Sequence, residues 1–136
     1  MGWYGYGNYD GDVTQTQHID FLKWAKVVKT DDQAMDCFSE KRTILSKEQK
    51  LILKKNVNLI LKRLPKIVGD EDWALQWQML VALLVDNGIK PNRIIKIKFK
   101  EACNILLGEH SDTFENPSQR RKAIRNLMSR VKNVRN

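Results

Sequence analysis

Nine cationic side chains fall into three sets: Lys55, Lys62 and Lys66; Arg93, Lys96 and Lys100; and Arg121, Arg125 and Lys132. Within each set the intervals are three, four or seven residues, which bring side chains to one side of an α-helix. Rows of ammonium and guanidinium groups suit nucleic-acid phosphates, RNA or DNA, which they contact without regard to base sequence. They also suit an acidic protein surface. A solvated basic surface with no specific partner has the same composition.

The groups that could support catalysis are few. His18 and His110 are the only histidines. His110 stands beside Glu109 and Asp112, and a histidine–carboxylate pair can orient a general base, but no nucleophile accompanies it at a recognisable spacing. His18 is expected as a satisfied surface or boundary residue of the first helix. Cys37, Cys103, His18 and His110 lack the C-x-x-C or H-x-x-x-H spacing of a metal site. Cys103 is expected instead as a small buried hydrophobe. The acidic trio Asp70-Glu71-Asp72 is explained by a helix start, where the dipole favours carboxylates. The GYGNYDG stretch lacks the GK[ST] ending and the preceding strand of a phosphate loop. Zinc, calcium and G-x-S-x-G signatures are absent from the sequence. The expectation is a non-catalytic binding protein with no cofactor, no metal and no small-molecule substrate.

Helices must position the cations. A first helix is expected from Asp12 as cap, with Gln15 three residues on, to about Thr30-Asp31-Asp32; a further turn comes next, through Ala34, Met35 and Phe38. Ser46 and Gln49 form a capping box for a helix over 47–64, stopped by Pro65. Leu53, Val57, Ile60 and Leu64 share its inner arc, while Ile52 and Leu59 make a second apolar edge. Asp70 caps the next helix, in which only Gln76 and Gln78 are polar between Trp73 and Val85, so this helix belongs at the centre. Asn87-Gly88 supplies its left-handed stop. Pro91 fits the first turn of a helix ending at Gly108, with Ile95, Phe99, Ala102, Cys103 and Leu106 inward. Alternation in IIKIKFK resembles a strand, but the continuing i, i+3, i+4 apolar pattern favours helix. Asn116-Pro117-Ser118-Gln119 starts a last helix running to about Val134, with Ile124, Leu127, Met128 and Val131 inward. The fold class is all-α, a compact array of about five helices forming a single domain over 1–136.

Bulk properties agree with a globular, basic chain. Its 136 residues are 42% hydrophobic and 29% charged, with a net charge of +8. The charge comes in blocks that track the helices: acidic over 1–40, 67–89 and 101–115, basic over 41–66, 90–100 and 116–136. The last block contains no acid. The longest apolar run, 79–85, is far short of the roughly 20 residues of a membrane-spanning helix. The first twenty residues show no secretory signal, and Tyr6 stands where a myristoylation signal has Ser or Thr. A cytoplasmic protein with no membrane partner is expected.

The opening MGWYGYGNYDGD differs in kind from the rest of the chain. It contains four glycines and four aromatics within residues 2–11, but no lysine or arginine. A base-stacking tail would carry basic residues for phosphate attraction. Asp10 and Asp12 would repel a nucleic-acid backbone, so residues 1–11 are expected as an ordered lid packed on the helices. This opening resembles that of small bacterial all-helical proteins of unknown function beginning Met-Gly-x-Trp-Gly-x-Gly-x-Phe-Asp-Asn-Asp. Gly2, Gly5, Gly7, Tyr9, Asp10 and Asp12 match, while Trp3-Tyr4 and Gly11 depart. The resemblance covers about twelve residues, implies a compact helical protein and assigns no functional residue.

Overall fold

The computed structural model of the protein describes residues 12–39, 42–108 and 117–134. The expected lid at 1–11, the N-terminal family resemblance, His110 with its acidic neighbours, and the Asn116 cap lie outside the described residues. Among these residues the chain is all-α: α1 (Asp12–Trp24), α2 (Asp31–Met35), α3 (Lys47–Leu61), α4 (Glu71–Asp86), α5 (Arg93–Leu106) and α6 (Pro117–Asn133). A two-residue antiparallel ladder, β1 (Phe38–Ser39) on β2 (Arg42–Thr43), joins α2 to α3.

Helix α4 is the axis of the molecule. It packs against α1, α5, α6 and β2, and buries Trp77, Leu80, Leu83 and Leu84 completely. Its nearly continuous apolar sequence requires such enclosure, because a helix greasy on all sides has no face to give to water. The α3 residues Leu53, Val57 and Ile60 are buried, as is Leu64 just beyond the helix, and so are α5 residues Ile95, Phe99, Ala102, Cys103 and Leu106. The second edge of α3 is only partly covered: Leu59 is half-buried and Ile52 exposed.

Several helix ends differ from expectation, each for a local reason. Helix α1 begins at Asp12 itself and stops at Trp24, well before Thr30. Lys26 adopts a left-handed φ of 62°, with Lys26 N–H on the Lys23 carbonyl and Val27 N–H on that of Leu22. This is a Schellman closure with lysine where glycine is usual. Thr30 is thereby freed to cap α2 in a capping box with Gln33. Helix α3 ends at Leu61 rather than Leu64: Arg63 N–H turns to the Ile60 carbonyl in a tightened last turn, ahead of Pro65, which disfavours helical geometry at Leu64. Pro91 precedes α5 instead of entering it; Asn92 takes the cap, its Oδ1 accepting from Ile95 N–H at 2.9 Å. The α4 stop is as expected, with Gly88 left-handed at φ 72° and Ile89 N–H on the Leu84 carbonyl.

Three polar devices set the helices against one another. Asn87 is buried at the end of α4, donating to the carbonyls of Leu83 and Thr43 and accepting from Leu45 N–H at 3.1 Å. The indoles of Trp73 and Trp77 both donate to the Pro65 carbonyl, at 2.8 and 3.3 Å, and so hold the α3–α4 connection down. Asp86, also near the end of α4, is buried in an ion pair with Arg130 that fixes the C-terminal half of α6.

A candidate cationic interface between α3, α5 and α6

Crossing of α5 and α6 over α4 leaves a groove of about 450 Å3 at the C-terminal end of α6. Phe99 and Cys103 of α5, Met128 and Val131 of α6, and Val134 just past its end make its apolar wall. Four lysines rim it: Lys90 from the α4–α5 turn, Lys96 and Lys100 from α5, and Lys132 from α6. A neighbouring cleft of about 270 Å3 lies on the far side of Lys90. Lys54, Lys55, Asn58 and Asn92 edge it, with Val57, Leu84, Ile89 and Ile95 beneath. Among the described residues, neither cleft has a carboxylate in its lining.

The local sequence explains this arrangement. On α5 the core residues leave Arg93, Lys96 and Lys100 together on the flank nearer α6; the opposite flank carries Lys98 paired with Glu101 at 3.5 Å. Asp86 could have added negative charge close by, but Arg130 neutralises it inside the fold. The first turn of α5 contains no acidic residue, so the positive end of its dipole is uncompensated beside Lys90 and Asn92. At the C-terminal end of α6, Arg130 and Lys132 also complement that helix's dipole, a structural role independent of any ligand.

Of the nine cations expected to contact a partner, Lys55, Lys96, Lys100 and Lys132 line these clefts. Arg93 shares the flank of Lys96 and Lys100 but is not part of the lining. Arg125, exposed, lies on the flank of Lys132 about 10 Å back along α6, with half-buried Arg121 one turn beyond. Lys62 points outward two turns along α3 from Lys55. Lys66 is beyond Pro65 and donates to the Leu61 carbonyl at 2.8 Å, closing the end of α3. Lys54 and Lys90 are not among the expected cations. Lys54 borders the inner face of α3 rather than its outermost side, and Lys90 is on no helix at all. The signal for Lys90 is its position immediately before Pro91, in a turn that the proline makes rigid.

The other reactive groups are positioned for packing. His18, expected at the surface or boundary, is fully buried, with its ring edge-on to Phe21 at 6.1 Å; burial pushes its pKa down to about 3. Burial also pushes the Cys103 thiol up to about 12 and raises that of Cys37. Cys37 Sγ lies at a third cleft, beside Lys26, Lys29 and Asp36, where it accepts from Gln49 Nε2 and donates to the Gln33 carbonyl. A thiol kept protonated is a poor nucleophile and metal ligand. Among the described residues no three His, Cys, Asp or Glu side chains gather as a metal site would require, and no helix is long and apolar enough to cross a membrane. No protein-family model, curated protein or solved structure matches the chain.

Proposed function

We propose that the protein is a non-catalytic, cytoplasmic nucleic-acid-binding protein that holds the phosphate backbone, alone or as a subunit of a ribonucleoprotein complex. The observation that carries this reading is the convergence of Lys90, Lys96, Lys100 and Lys132 on one groove with no carboxylate among its described lining residues. Lysines from a turn and two helices reinforce one another's field there, and a concave site of one sign concentrates polyanions. Arg93, Arg121 and Arg125 extend the basic surface along the same flanks. Lys62 and Lys66 contribute only at its margin.

The test is fluorescence anisotropy with labelled RNA and DNA at low and moderate salt, comparing the wild type with K96E/K100E/K132E. Each phosphate contact adds about 0.7 to 0.9 to the slope of log affinity against log salt. Losing three contacts should flatten that slope by about 2 to 3. No binding at low salt, or an unchanged slope in the variant, would overturn the proposal.

One observation favours a second reading, a protein-interaction module such as an inhibitor, immunity-type protein or adaptor. Ile94 and Ile97 are about half exposed on the side of α5 away from the core. A partner captured from the native host that survives nuclease treatment and is lost on Ile97→Asp would favour it.

A further inference from the structure

We infer that the nucleic acid taken by this surface is single-stranded, with bases inserted into the two clefts that flank Lys90. The inference rests on the backbone-binding reading and adds a ligand geometry to it. A purely electrostatic surface for duplex DNA or RNA needs outward-facing cations and no apolar recess, because a duplex hides its bases and offers phosphates. Here each set of lysines surrounds a recess with an apolar interior. Val57 and Ile89 show a little of their surface at the floor of the smaller one, over the fully buried Leu84 and Ile95, while Met128, Val131 and Val134 stand half-buried along the larger.

Lys90 belongs to both recesses, so the surface alternates apolar pocket, cation, apolar pocket. An unstacked strand alternates in the same way, base, phosphate, base. An amphipathic helix would need one unbroken apolar stripe over several turns, which Lys90 interrupts. The smaller recess alone spans about nine water volumes at roughly 30 Å3 each, room for a flat heterocycle. Polar groups are within reach of an inserted base. The amide of Asn58, for which α3 provides no other fixed partner, edges the smaller cleft, beside Asn92, whose Oδ1 is already used by the α5 cap.

The experiment compares four competitors at fixed salt: a mixed-sequence single strand, its duplex, an abasic strand of equal length, and polyglutamate. The abasic strand keeps every phosphate and removes every base. The single strand should bind at least tenfold more tightly than the other three, since inserting bases into the clefts takes apolar surface of base and protein out of water. Val131→Trp fills the larger groove without changing charge. It should weaken the single strand severalfold and leave the abasic strand unaffected, with the melting temperature confirming an intact fold. Equal binding of single and abasic strands, or a duplex that binds as well, would overturn base insertion while leaving the backbone reading standing. Binding of polyglutamate alone would overturn both, as would silence from all four.

Discussion

His18 makes stability depend on pH with a sign and size that the structure specifies. Its imidazole is fully buried, and desolvation lowers its pKa from 6.5 to about 3. Between these values the unfolded chain binds a proton at His18 and the folded chain does not. Stability is therefore complete above pH 6.5 and is lost as pH falls toward 3. At pH 4.5 the loss from this one group is about 2.7 kcal/mol, at 1.36 kcal/mol per pH unit over two units. The assay is urea unfolding monitored by tryptophan fluorescence, which the four tryptophans make sensitive, at pH 7 and pH 4.5. His18→Gln and His18→Leu are measured alongside the wild type. Either variant can be less stable overall, so the quantity compared is the drop between the two pH values. Carboxylates contribute the same background to all three proteins, including Asp20, whose pKa burial raises. The drop should be smaller by about 2 to 3 kcal/mol in both variants. An equal drop in all three would refute the burial of a neutral imidazole at this position.

Other outcomes are expected from the devices that hold the helices. Arg130→Met strands the buried Asp86 carboxylate and should cost roughly 2 to 3 kcal/mol in urea unfolding, less than for a fully enclosed pair because Arg130 is partly exposed. Adding Asp86→Asn should recover part of that loss, and no recovery would show that the pair itself is not the cause. Asn87→Ala removes three hydrogen bonds and leaves the Leu45 N–H and two carbonyls without their partner, for about 2 to 4 kcal/mol. Lys26→Gly relieves a left-handed lysine and should be neutral or stabilising by up to about 1 kcal/mol, whereas Lys26→Val should destabilise; thermal melts of both check the sign.

Much of the fold is legible in the chain itself. Ser46 with Gln49, Asp70, and Asn87-Gly88 mark helix ends through hydrogen bonds that span two to five residues, so the information is local. The inward faces of α3 and α5 are legible for a related reason, since periodicity records which side of a helix avoids water. The end of α1 is not, because its stop uses a lysine in a glycine's conformation, a choice that the neighbouring buried Val27 and Val28 stabilise and composition does not announce.

Position in three dimensions is what the sequence by itself withheld. It determined the helical segments, a central α4 and rows of cations, because capping and amphipathicity act within a few turns. Tertiary structure alone decided that Lys90, from a turn, would stand between two apolar clefts and meet Lys96, Lys100 and Lys132 there. It likewise decided that His18 would be enclosed and that Asp86 would be silenced by Arg130, 44 residues away. The physical reason is that helix periodicity says which face turns inward but not which neighbour meets it. That pairing emerges only when α1, α5 and α6 pack against α4, and α2 and α3 against α1, at once.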